Sequence, residues 1–105
     1  MDRRALEAFQ KRLAAIENIW PVFHGRQRIQ DEKRKVNYPW VHKLIKDPKK
    51  LVFVQQLPAH PMFPGEERFK LVFQISRGWG MLILVSIKEK DLKIITVYKI
   101  QRERI

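Results

Sequence analysis

The chain predicts an α+β domain in which two N-terminal helices pack on a four-stranded antiparallel sheet. Three observations lead there. Apolar residues recur at helical spacing in the first part of the sequence. From residue 51 onward they alternate at strand spacing or form short continuous runs. The linkers between the last three runs are short enough only for hairpins, which makes those strands a β-meander. With 105 residues, 45% of them hydrophobic, there is material for one core, so residues 1–105 are read as a single domain.

Each element has its own reason. Residues 2–19 predict a helix: Asp2 can cap it, Leu6, Phe9, Leu13, Ile16 and Trp20 form one stripe, and Glu7 and Lys11 pair on the opposite side. Pro21 ends it. Residues 22–36 form a basic connection with no clear period, broken at Gly25. Residues 38–47 predict a second helix, capped by Asn37, with Pro39 in its first turn, Val41, Leu44 and Ile45 on its apolar face, and Pro48 after its end. Strands are expected at 51–56, 69–76, 81–87 and 92–100, all within a sheet spanning 51–100. The third is apolar on both faces, as a central strand would be. In the second, Phe69, Leu71, Phe73 and Ile75 share one face, and Lys70, Val72, Gln74 and Ser76 the other. The helices should cover one face and leave the polar alternates on the other. The loop "LPAHPMFPGEE" (57–67) is long and proline-rich, which suits either a functional loop or a stiff cap that folds Met62 and Phe63 onto the core.

Charge is the most informative global property. The net charge is +11, and residues 24–50 alone hold nine Lys and Arg against three acidic residues. A small domain this basic usually meets a polyanion. RNA or DNA is the expected partner; an acidic protein or an anionic membrane surface would satisfy the same electrostatics. Arg26, Arg28, Lys33, Arg34 and Lys35 would track a phosphate backbone, joined by His42 and Lys43 on the second helix. No cysteine is present, which excludes disulfides, thiolate metal sites and cysteine nucleophiles and fits a cytoplasmic protein. No apolar run is long enough to span a bilayer, and none near the start reads as a signal peptide. Few asparagines and abundant Lys, Arg and Glu give a thermophile-like composition.

Metal and cofactor chemistry find no support. His24, His42 and His60 lie in separate segments, none with a second ligand at helical spacing, and there is no phosphate loop or dinucleotide fingerprint. What remains is a basic and aromatic set. Arg68 and Lys70 enter the second strand, Arg77 leaves it, and Thr96 and Tyr98 share a face of the last. Such a set is suited to metal-free RNA cleavage: cations stabilise charge building on the phosphate, while Tyr98, His60 or a lysine moves the proton. Each residue also has a plainer reading. Lys70 and Arg68 suit a solvated strand, Thr96 is an ordinary strand residue, and Tyr98 suits the edge of a core. His42 is read as a surface residue. In "SRGWGM" (76–81), Trp79 is either a lid on the sheet end or a base-stacking platform beside Arg77, and it is expected to flank the site and contact the ligand or partner.

The segments "VHKLIKDP", "KLVFV", "RFKLVFQ", "MLILVSI" and "IITVYKI" together resemble the barnase–EndoU–colicin–RelE-like ribonuclease superfamily, in particular its small phage- and mobile-element-borne members. The match covers roughly residues 38–100. The resemblance implies a toxin-type endoribonuclease paired with an acidic antitoxin, with Lys70 and Arg77 as phosphate ligands and Thr96 and Tyr98 as residues of the sheet-face site. One feature departs from it: where those families commonly place His-Pro at the start of the short helix, this chain has Tyr38-Pro39, with His42 a turn later. The departure implies either a different base, His42 or His60, or a domain that binds RNA without cutting it. The leading expectation is therefore an RNA-interacting basic domain with metal-independent endoribonuclease activity as its enzymatic form. The alternatives are a non-catalytic nucleic-acid-binding module and a protein-interaction or homodimer domain.

Overall fold

The computed structural model describes residues 3–21 and 38–101. Its elements are α1 (Arg3–Ala14), β1 (Asn18–Pro21), α2 (Tyr38–Lys46), a single 3-10 turn (Pro48–Lys50), β2 (Leu51–Leu57), β3 (Glu67–Gln74), β4 (Trp79–Lys88) and β5 (Asp91–Gln101). The sheet order is β1-β5-β4-β3-β2. The last four strands pair antiparallel, the last three through the short linkers that require it, but β1 lies parallel to β5.

The α+β class is thus present, and the expected four-stranded sheet is corrected to a five-stranded mixed one. The correction lies at the end of the first helix. α1 stops at Ala14, not at residue 19. Its last turn tightens, with the Ile16 amide donating to Leu13 O at 3.1 Å. Lys46 Nζ, arriving from α2, donates to the otherwise unpaired carbonyls of Ala14 and Ile16. The chain then turns outward. The amides of Glu17 and Asn18 both donate to Lys90 O, and the Asn18 side chain donates to Asp91 Oδ1 at 2.8 Å. These bonds seat "NIWP" against β5. A β-branched residue and a tryptophan suit a strand, and a proline is tolerated on an edge. Trp20 therefore leaves the helix stripe to which its spacing assigned it.

The core lies between the helices and one sheet face. Phe9, Leu13 and Ile16 from the α1 segment and Val41, Leu44 and Ile45 from α2 pack onto Phe69, Leu71, Phe73, Met81, Ile83, Val85, Ile87, Leu92, Ile94 and Val97. Phe9 meets Phe69 edge to face at 4.8 Å between centroids. Each such buried side chain contributes about 1.5–3 kcal/mol by leaving water.

Two bulges decide which residues face the core. Between β4 and β5, Leu84 pairs with Thr96 and Val85 with Ile94, so Ile95 is the extra residue. Leu92 and Ile94 point to the helices before the bulge, and Val97 after it. Unbroken alternation from Ile94 would turn Thr96 and Tyr98 inward. Instead the bulge turns them onto the second face, beside Leu84 and Leu82. In β2, a shift between Leu51 and Phe53 keeps both Leu51 and Val54 buried while Val52 remains exposed.

Candidate nucleic-acid interface

No described helix covers the second face. Register arranges its residues in rows across the strands: Leu57, Arg68, Ser86 and Lys93; then Gln55, Lys70, Leu84 and Thr96; then Phe53, Val72, Leu82 and Tyr98. The row Leu57–Lys93 continues to Trp20 on β1, which pairs with Lys93. This face is not a purely polar surface. Val72, Ser86 and Thr96 are buried, and Phe53, Leu57, Arg68, Lys70, Leu82, Leu84, Lys93 and Tyr98 are half-buried. Its apolar members come from β4, which is hydrophobic on both sides, and from the phenylalanine and leucine that alternate with valine and glutamine in β2.

One end is organised around Glu66. Lys93 Nζ lies 2.6 Å from Glu66 Oε1, and Ser86 Oγ donates to Glu66 Oε2 at 2.9 Å. The bond from Lys93, helped by that from Ser86 and opposed by burial, holds the Glu66 carboxyl below its ordinary value. The same Lys93 ammonium sits 5.4 Å from the centre of the Phe63 ring. Glu66 thereby ties the loop that precedes β3 to the sheet. Lys88 runs past Gly65 on the same loop, its Cε 3.7 Å from where a Cβ would stand.

The ion pairs among the described residues are Arg3–Glu7, Arg12–Glu67, Lys49–Asp47, Lys90–Glu17 and Lys93–Glu66. Arg68 and Lys70 therefore have no carboxylate within ion-pair distance among the described residues, while Lys88 acts on Glu66 at longer range. Lys70 Nζ lies instead over the Phe53 ring, 5.6 Å from its centre.

The sequence-predicted site residues fall in different places. Lys70, Thr96 and Tyr98 share the second face. Leu84 separates Lys70 from Thr96, so their backbones are two strand spacings apart, roughly 9–10 Å. The Thr96 hydroxyl is buried and has no hydrogen-bond partner among the described residues. Arg77 is exposed in the β3–β4 turn, which the amides of Ile75 and Ser76 close by donating to Trp79 O. His60 lies in the loop at the far end. Its ring tilts against Phe63 at 5.4 Å, and its Nδ1 accepts from the Met62 amide at 3.1 Å. Between the Arg68 row and the Gln74 row β3 advances six residues, roughly 20 Å. His60 and Arg77 stand beyond opposite ends of that distance.

Trp79 is the first residue of β4 and sits on the helix side. Its ring lies 6.0 Å from that of Trp40, tilted by 43°, with Lys99 Nζ 5.3 Å from its centre. That is the position of a lid on the sheet end, on the face opposite Lys70. His42 and Lys43 are exposed on α2, away from the second face, while Arg68 is on it. Arg26, Arg28, Lys33, Arg34 and Lys35 lie outside the described residues. Among the described residues no three His, Asp or Glu side chains converge as metal ligands, and no helix is long and apolar enough to cross a membrane.

Trp20, Phe63, Glu66 and Lys93 belong to this surface, and the spacing of residues pointed to none of them as a group. Trp20 fits the helical stripe as well as Ile16 does. The available signal was "NIWP", whose β-branched, aromatic and proline residues favour an edge strand over the last turn of a helix. Comparison of the chain with protein-family models, with curated proteins and with solved structures finds no match to any of them.

Proposed function

We propose that this protein is an RNA-binding domain and that the second face of the sheet, with its flanking cations, is the contact surface. One observation carries the reading: in a chain of net charge +11, Arg68 and Lys70 lie on the face that no described helix covers, without carboxylate partners among the described residues and with Phe53, Leu82 and Tyr98 around them. Cations interleaved with aromatic and apolar groups bind a strand by neutralising phosphates and by offering flat surfaces to bases. Cytoplasmic residence and an acidic protein counterpart belong to the same proposal.

A second reading, metal-independent endoribonuclease activity in line with the ribonuclease resemblance, is favoured by the bulge that turns Thr96 and Tyr98 onto the face of Lys70. Against it, Arg77 and His60 stand at opposite ends of the sheet, so one phosphodiester cannot reach both. A catalytic centre drawn from these residues would consist of Lys70, Thr96 and Tyr98 without them.

The test is incubation of purified protein with labelled single-stranded RNA and tRNA in EDTA, followed by both gel analysis and retention measured at several salt concentrations. RNA binding that weakens steeply with salt, without cleavage, supports the binding domain. Cleavage leaving 2′,3′-cyclic phosphate ends, lost in Lys70→Ala/Tyr98→Phe, would establish the enzyme. Neither binding nor cleavage would overturn both readings and leave a protein-interaction or homodimer domain.

A further inference from the structure

Three large apolar side chains lie exposed outside the β2 edge: Trp20 at 55%, Phe63 at 48% and Met62 at 77%. Two of them flank one lysine. Trp20 pairs with Lys93 across β1 and β5, on the second face, and the Phe63 ring lies 5.4 Å from Lys93 Nζ. We propose that Trp20 and Phe63 form a stacking platform for unpaired bases of single-stranded RNA, with Arg68 and Lys88 taking the adjoining phosphates. The proposal rests on the RNA-binding reading above and adds to it the strandedness of the ligand and the residues that meet its bases.

The chemistry of the corner favours this occupant. A base has an apolar face and a polar edge, and an aromatic ring left half in water on a rigid support matches the first without selecting sequence. β1 supplies that support for Trp20, because backbone bonds at Glu17 and Asn18 and the Asn18–Asp91 bond clamp the strand start onto β5. The Lys93–Glu66–Ser86 group supplies it for Phe63 by fixing the loop three residues on. Pairing with Lys93 also neutralises Glu66, a carboxylate at this corner that would otherwise repel a phosphate. Arg68 stands in the same row as Lys93. Lys88 lies two residues beyond Ser86 on β4, at the same end, and neither it nor Arg68 has a carboxylate within ion-pair distance among the described residues, although Lys88 acts on Glu66 at longer range. A duplex hides its base faces within the stack, so this corner fits single strands.

The test separates bases from backbone. The wild-type protein is titrated with a ten-nucleotide oligouridine and with an abasic oligonucleotide of the same length and charge, at several salt concentrations. The expected result is at least tenfold tighter binding of oligouridine. Trp20→Ala and Phe63→Ala should each remove most of that preference while leaving affinity for the abasic strand and the salt slope unchanged; Trp20→Phe should keep it. Circular dichroism confirms that the variants are folded, and the exposure of both side chains makes that the expected result. If the alanine variants bind oligouridine like wild type while Arg68→Ala weakens it, the stacking platform is overturned and the RNA-binding reading stands. Equal binding of both strands by wild type has the same meaning. If wild type binds neither strand, the RNA-binding reading falls and takes the platform with it. Self-association lost on Trp20→Ala with unchanged RNA affinity would assign the patch to a second copy of this chain and also overturn the proposal.

Discussion

The two faces of this sheet are made from alternate residues of the same strands, yet they are packed by different rules. Toward the helices, Leu71, Phe73, Met81, Ile83 and Ile87 are wholly buried. On the other side, Val72 and Ser86 are buried but most neighbouring residues are partly exposed, mix Lys70 and Arg68 with Phe53 and Leu82, and surround a buried threonine whose hydroxyl has no partner among the described residues. The first face is filled for stability. The second retains cations without an ion-pair partner and a buried hydroxyl without a hydrogen-bond partner among the described residues, and an unpaired buried hydroxyl costs stability unless something else uses it.

That contrast can be broken or sharpened by experiment. The largest effect is expected from Leu71→Ala, which opens a cavity in the helix-covered core and should lower unfolding free energy by about 2–5 kcal/mol. Leu84→Ala on the second face should lower it by roughly 1 kcal/mol, since part of that surface is already in contact with water. Denaturant midpoints measure both, and equal losses would mean that the second face is packed like the first.

Glu66 provides a pH-dependent test. Its carboxyl is held below the ordinary value of 4.5, first by the bond from Lys93. A depressed carboxylate stabilises the fold above the unfolded-state value and loses that contribution as pH falls through the lower folded-state value. Wild type should thus lose stability progressively below about pH 4.5, and Glu66→Gln should lack that portion of the loss, worth about 1 kcal/mol for a pair whose lysine is part-exposed. Thermal melts of the two proteins between pH 3 and 7 decide it; parallel curves would show that the Glu66 group does not hold the loop.

Thr96→Val tests the unpartnered hydroxyl. Replacing a buried hydroxyl that has no partner by a methyl group of the same shape should be neutral or stabilising by up to about 1 kcal/mol. A clear destabilisation would mean that Thr96 has a partner in solution. The smallest effect on stability is expected from Lys70→Ala, whose consequence should appear in binding instead. The slope of log affinity against log salt should fall by about 0.7, the share of one phosphate contact on a single strand. An unchanged slope would remove Lys70 from the interface.

How much of this was legible beforehand varies with the length of the signal. α2 and the three-stranded meander were readable because several residues repeat the same period, and β3 shows its buried Phe69, Leu71 and Phe73 as expected. β1 was not, because four residues carry no period and Trp20 happens to continue the stripe of α1. Trp79 was ambiguous for another reason. A tryptophan at a turn can swing to either side of a sheet, and only the presence of Trp40 on α2 shows which side it takes. The set Lys70, Thr96 and Tyr98 was named from sequence, but their common face depended on a bulge that sequence alternation argues against.

By itself the sequence determined the class of the fold and its electrostatics, because helical and strand periodicities and net charge are sums over many residues and survive local exceptions. The tertiary structure alone decided the rest: that α1 gives way to an edge strand, that Trp20 faces outward while Trp79 packs against Trp40, and that Thr96 and Tyr98 share a surface with Lys70. The first two hang on one partner distant in the chain, Lys90 for β1 and Trp40 for Trp79, and the third on how β5 meets β4, with Ile95 as the extra residue between the Ile94 and Thr96 pairs. No local pattern announces such a partner, because it exists only once the strands have met.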